Sequence, residues 1–293
     1  MSSTTMQNSQ GLASESPRSR FAGLLTALSG NWRMAPILLA LIAVWLFFGA
    51  TNEVFLSYRN LSFLSVQIVV TATIGLALLF VLILGEIDLA VVGTSAVAAT
   101  VAASLAVNAD VPAALAILAA VATGAVIGFA QGLVVIFTRS PSFIVSLGTS
   151  LILSGALLYL LPPTGLISLV DQPLANLTIT YLPYWLGYVL AAAIVLVVLV
   201  LRVHAFLDKR RHGLPAHFGR EVLGVTLLVA IGSACVVAVL NGYRGVPTPL
   251  AILLGLVVLS SYVTTQTTFG LHLYAIGTNA EAARRAGIRV PYV

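Results

Sequence analysis

Long apolar stretches separated by short polar breaks fill almost the whole chain. Eight windows contain no Asp, Glu, Lys or Arg: 34–52, 60–85, 89–109, 111–138, 140–170, 172–201, 222–243 and 245–280. A helix needs about 20 apolar residues to cross the hydrocarbon core of a bilayer, and each window meets or nearly meets that length. Runs such as 191–201 and 253–259 are apolar on every face. They lack the in-and-out alternation of a membrane barrel strand. Backbone groups in lipid must be satisfied within the segment, so these runs are helices. The pattern predicts an all-α polytopic bundle of about eight spans, near 35–51, 61–84, 90–107, 112–137, 142–161, 183–201, 221–240 and 247–264. The third is rich in Gly, Ala, Ser and Thr, which leaves open a single broken helix formed with the second.

Composition agrees with the pattern. Of the 293 residues, 59% are hydrophobic and 8% charged, against about 25% charged in a soluble domain. That excludes an ordinary soluble enzyme, a nucleic-acid-binding domain and a disordered protein. The pI near 9.7 does not restore nucleic acid as a partner, because the basic residues form no phosphate-tracking stripe. The single cysteine, Cys235, excludes a disulfide framework. Its place inside span seven predicts a buried small hydrophobe.

Charge then orients the spans. Lys and Arg concentrate in cytoplasmic loops. Arg18, Arg20 and Arg33 precede span one, and Arg139 follows span four. Arg202, Lys209, Arg210, Arg211 and Arg220 lie in 202–220, and Arg284, Arg285 and Arg289 in the tail. With the N-terminus inside, all of these are cytoplasmic, which is 12 of the 14 basic residues. Only Arg59 and Arg244 fall outside. The expected organisation is a disordered cytoplasmic tail (1–33), a transmembrane domain (34–265) with a cytoplasmic loop at 202–220, and a cytoplasmic segment (266–293). The apolar stretch starts late and no small-residue cleavage site follows it, so span one reads as a signal anchor.

Four motifs carry candidate chemistry. In Gly85-Glu86-Ile87-Asp88-Leu89, two carboxylates stand between apolar runs. Glu86 and Asp88 fit a pathway or gating element, or equally a cytoplasmic turn with its charges in water. Their i, i+2 spacing does not put them on one helical face, which weakens a paired acid–base site. In Arg139-Ser140-Pro141-Ser142-Phe143, Pro141 suits a first helical turn with Ser140 as N-cap. In Tyr243-Arg244-Gly245-Val246-Pro247, Tyr243 and Arg244 are candidates for contact with an external partner, against a plain turn.

The fourth motif lies in the tail. Asn279 is a good N-cap, Glu281 and Arg284/Arg285 complement the helix dipole, and Gly287 suits a left-handed stop. A short exposed helix follows, with Ala280, Ala282, Ala283 and Ala286 offering a smooth face to another protein's backbone. The simpler reading buries those alanines on the membrane domain. His204, His212 and His217 match no compact metal spacing, and no Gly-rich phosphate loop precedes Lys209.

At these residues the chain resembles a known family. Glu281-Ala282-Ala283, followed by Gly287, resembles the EAA-type loop of bacterial ABC importer permeases. The stretch from Tyr274 to Ile288 is similar to the version in ribose/xylose/arabinose sugar permeases. Gly85-Glu86-Ile87-Asp88-Leu89 and Pro141-Ser142-Phe143-Ile144 resemble two further family segments. Tyr243-Arg244-Gly245-Val246-Pro247-Thr248-Pro249 and the 202–220 insertion look closest to the D-xylose branch. The chain departs from the family at Ala90, where serine is usual, and by an extra valine before Gly93. It is also C-terminally truncated relative to the family, stopping at Val293.

The resemblance implies a sugar-importing permease subunit of the bacterial inner membrane, paired with a second permease chain. A periplasmic or lipid-anchored sugar-binding protein would dock outside at Tyr243 and Arg244. A separate ATPase, carrying the ATP and magnesium, would dock at Asn279, Glu281, Ala282, Ala283 and Gly287. Gly85, Glu86, Asp88, Ser142 and Phe143 are the pathway or gate candidates. No catalytic or metal residue is expected in this chain. The alternatives are a secondary transporter or channel, which would need ion-coupling groups beyond Glu86 and Asp88, and a membrane enzyme, which would need a clustered acid, base or metal set.

Overall fold

The computed structural model describes residues 35–215 and 217–290. The expected disordered tail, with Arg18, Arg20 and Arg33, lies outside the described residues. Two units are described separately, the first ending at Ser57. In it, α1 (Ala35–Thr51) is apolar throughout. Phe55 in the following turn stacks edge-on against Trp45, with ring centroids 5.6 Å apart.

The second unit begins with α2 (Tyr58–Ile83), α3 (Val91–Asn108), α4 (Ala113–Thr138) and α5 (Ser142–Leu160). A short outer turn, α6 (Asn176–Ile179), precedes α7 (Tyr184–Arg211). A π-helical turn (Gly219–Gly224) leads into α8 (Val225–Asn241), and α9 (Thr248–Gln266), α10 (Thr268–Thr278) and α11 (Ala280–Arg285) complete the order. Counting the π turn with α8, seven of these helices are long and apolar enough to cross a membrane, and α1 is a shorter apolar helix. No β-strand occurs among the described residues; Tyr181 and Pro247 form one isolated bridge.

The bundle is held by small residues. α3 packs chiefly on α4 and α5. Ala102 and Ala106 of α3 meet Ala116 of α4 in a buried cluster, and Val97 meets Leu153 of α5. Lipid tails are as apolar as leucine, so close backbone packing is what draws membrane helices together. A second cluster joins Ala191 of α7 to Val237 and Leu240 of α8. Large residues such as Leu158 and Tyr159 are left exposed, as expected of helices surrounded by lipid.

Two expectations need correction, and one open alternative is settled in favour of two separate spans. Residues 202–211 are not loop: α7 continues to Arg211, because no Gly or Pro interrupts good helix formers until Gly213, which takes φ +69°. α2 and α3 are separate helices, not one broken helix. Cys235 is exposed on α8 and is not packed in a core of this chain.

Candidate functional site

The 85–90 turn is built by local backbone chemistry. Gly85, at φ +80°, ends α2 in the left-handed position that favours glycine. Its N–H bonds Leu82 O at 3.0 Å and the Glu86 N–H bonds Val81 O at 3.2 Å, a Schellman cap that satisfies the final carbonyls of α2. Asp88 then starts α3: its Oδ1 accepts the Ala90 N–H at 2.7 Å. Asp88 is thus committed to the turn.

Glu86 has a different partner. The Ser142 hydroxyl donates to Glu86 Oε2 at 2.5 Å, and the Ile87 N–H donates to Ser142 Oγ at 3.3 Å. One turn further along α5, the buried Ser146 hydroxyl donates to Ile87 O at 3.3 Å. Two serines of α5 therefore hold the α2–α3 turn from one side. Phe143 is exposed, at 48%. Glu86 is also exposed. Ser140 does not cap α5; Pro141 holds the cap position at ψ 134°, and the helix begins one residue later than expected.

The tail meets the same turn. α9 ends at a joint where Thr267 caps α10, its hydroxyl accepting the Gly270 N–H at 3.2 Å. Gly270 lies so close to the end of α9 that a β-carbon there would overlap the Thr264 carbonyl. Near the far end of α10, a β-carbon on Gly277 would overlap the Ile83 carbonyl oxygen and stand 3.2 Å from the Leu84 carbonyl carbon. Glycine is required there because the α2 C-terminus and α10 touch backbone to backbone.

α11 follows directly. Asn279 Oδ1 accepts the Ala282 N–H at 2.9 Å, the expected cap. Glu281 pairs with Arg284 at 3.0 Å and Arg285 at 3.3 Å, and Gly287 closes the helix at φ +89°. Ala283 is 4% exposed and packs into its own chain, while Ala280, Ala282 and Ala286 are exposed. Ala282 and Ala286, one turn apart, form the exposed side, Ala280 lies on the other flank of the helix, and Ala283 between them is buried.

Tyr243 and Arg244 occupy the opposite end of the helices. The 241–247 loop is clasped to the segment before α7: Leu182 N bonds Val246 O at 2.8 Å and Thr248 N bonds Thr180 O at 3.0 Å. Gly245, at φ +107°, abuts the Leu182 carbonyl. The Arg244 guanidinium lies 5.3 Å from the Tyr243 ring centre and 6.0 Å from that of Tyr181. Arg59 lies over Phe63 at 5.5 Å, and Phe63 meets Tyr243 edge-on. Among the described residues neither arginine has a carboxylate partner.

Ser146 and Gly277 are the functional candidates that sequence reasoning missed. Ser146 is signalled by its i+4 spacing from Ser142. Gly277 lies inside the tail motif, yet its neighbour Ile83 is nearly 200 residues away.

Apolar spans, a tail helix docked on an inter-helix turn, and an opposite clasped loop define a multi-pass helical membrane protein. The family described as the permease component of the branched-chain amino acid transport system matches residues 60–293. The chain belongs to that family, and is a multi-pass bacterial membrane subunit of an ABC importer. It is 32% identical over 271 residues to the xylose transport system permease protein XylH of Escherichia coli K12, covering 92% of this chain and 68% of the relative. Identity to XylH of Haemophilus influenzae is 30% over 263 residues, or 89% and 70% of the two chains. The autoinducer 2 import system permease protein LsrC of Salmonella typhi is 26% identical over 265 residues, or 90% and 58%. No solved structure matches the chain.

Proposed function

We propose that the chain imports xylose or a related monosaccharide, working as a homodimer with a separate ATPase and an external sugar-binding protein. The contact of Gly277 with Ile83 carries this reading. It supports a mechanical series from the exposed α11 through α10 to the 85–90 turn. An ATPase seated on Ala282 and Ala286 moves α11; α10 moves with it; the end of α2 follows, and Glu86–Ser142 passes the displacement to α5. The ATP and magnesium reside on the ATPase, and this chain breaks no bond itself.

The spans suit an uncharged cargo. The eight charge-free windows leave no ionised side chain at mid-span to couple an ion gradient, which a secondary transporter would need. Similarity to two XylH proteins favours a pentose. The test is reconstitution of the chain with an ATPase and a sugar-binding protein from the same transport system. ATP-dependent uptake of xylose that requires all three is expected. Uptake that persists without the ATPase would support the secondary-transporter reading instead.

A further inference from the structure

We propose that the α7–α8 hairpin binds one anionic phospholipid of the inner leaflet, with its phosphate on Arg202 and Arg210 and one acyl chain in the cleft between the two helices. The cleft has a volume of about 410 Å³ and is lined by Ala192, Val195, Leu199, Ala230, Ser233 and Ala234, among others. Its lining is hydrocarbon apart from Tyr188 and Ser233, and the Ser233 hydroxyl is used on Ala230 O at 3.2 Å. Small side chains on both helices leave a slot that their own packing does not fill.

The lining face of α7 continues into charge. Steps of three and four residues run from Ala192 through Val195 and Leu199 to Arg202, Phe206 and Arg210, a single helical stripe. Lys209 is neutralised by Glu221 at 2.7 Å, and Arg211 reaches Asp208 only at 4.0 Å. Arg202 and Arg210 have no carboxylate partner among the described residues. Arg210 lies over Phe206 at 5.7 Å, and Phe206 stacks edge-on with Phe218 at 5.2 Å, an aromatic pair beside the guanidinium.

Most of the cleft lies within one leaflet of the basic end: Arg202 to Ala192 is about 15 Å along the helix, half of the hydrocarbon core is also about 15 Å, and Tyr188 lies about 6 Å beyond. A basic pocket between membrane helices on the cytoplasmic side is suited to an anionic headgroup. A phosphate carrying an acyl chain meets both halves of the feature, the unpaired arginines and the dry slot. The inference requires only that the basic end faces the cytoplasm, and it is independent of the transported solute.

Native mass spectrometry of the full chain, titrated with phosphatidylglycerol, cardiolipin or phosphatidylcholine, tests it. Retention of the two anionic lipids over phosphatidylcholine is expected. The double variant R202Q/R210Q should weaken that retention about 30-fold, while R202K/R210K keeps most of it. Ala234→Phe should displace the lipid with both arginines intact, and R284Q/R285Q should change nothing. Glycerol phosphate, a headgroup without chains, should not compete. Equal retention of phosphatidylcholine, competition by glycerol phosphate, or an equal effect of R284Q/R285Q would overturn the proposal. The two wild-type comparisons keep the test decisive should a variant fail to fold.

Discussion

Gly277 and the carbonyl of Ile83 stand in direct backbone contact, with no room for a β-carbon between them. The tail segment and the second helix are therefore packed there with no side chain between them. We predict that Gly277→Ala costs about 1–3 kcal/mol through overpacking, and that Gly277→Val separates ATP hydrolysis from sugar uptake. The check is paired ATPase and uptake assays in proteoliposomes. Equal coupling ratios for wild type and Gly277→Val would remove Gly277 from the transmission route.

The Glu86–Ser142 bond should show energetic coupling. Glu86→Ala removes the shared bond, Ser142→Ala removes that bond and the one from the Ile87 N–H, and the double variant should cost less than the sum of the two. An interaction of about 0.5–1.5 kcal/mol is expected for an exposed pair with one charged member. Thermal unfolding of the four proteins in detergent gives the cycle directly. Strict additivity would show that the 2.5 Å bond contributes nothing.

α11 allows fold and docking to be separated. Asn279→Ala removes a helix cap worth about 1 kcal/mol. Ala282→Trp leaves the cap in place and enlarges the exposed face. Ala282→Trp should abolish ATPase co-purification with little change in melting temperature. Ala283→Trp should lower stability, because Ala283 is buried. Loss of ATPase binding with unchanged stability in Ala283→Trp, and none in Ala282→Trp, would reverse the assigned faces.

The helix spans were readable because a lipid-crossing segment must be long and uncharged, and charged residues interrupt this chain only at the ends of spans. Asn279 and Gly287 were readable because caps and stops are local chemistry, and Gly85, taken as a gate candidate, proves to be a stop of the same kind. The extension of α7 to Arg211 was not, since charge signals exit from the membrane and says nothing about where a helix unwinds. The burial of Ala283 and the docking of Gly277 depend on distant partners, which leave no periodic trace. At Ser142, the residue type was visible and its acceptor was not.

The outer clasp makes Gly245 the most sensitive position of its loop. Gly245→Ala would place a β-carbon against the Leu182 carbonyl at φ +107°, and should destabilise the chain by about 1–3 kcal/mol. Arg244→Ala, which removes contacts to the half-buried Tyr243 and Tyr181 rings, should change melting little and weaken binding-protein docking. Microscale binding measurements on reconstituted chain distinguish the two. A large melting shift in Arg244→Ala would make the residue structural.

Sidedness is testable through the basic segment. In a Cys235→Ala background, a cysteine at His217 should resist an impermeant maleimide added outside intact cells, and a cysteine at Arg244 should react. Labelling of position 217 from outside would invert the assignment of all 12 basic residues counted as cytoplasmic.

The hydrogen bond from Thr248 N to Thr180 O fastens one end of α9, while its other end carries the Thr267 joint. The helix has 19 residues, about 28 Å of length. A rod pinned at one end and pushed at the other pivots. A 3 Å push at the joint turns α9 by about 6° and leaves Thr248 almost where it was. Such a pivot opens the cytoplasmic side of the bundle widely and the far side scarcely at all, so the outer rim stays in register with whatever rests upon it throughout the stroke.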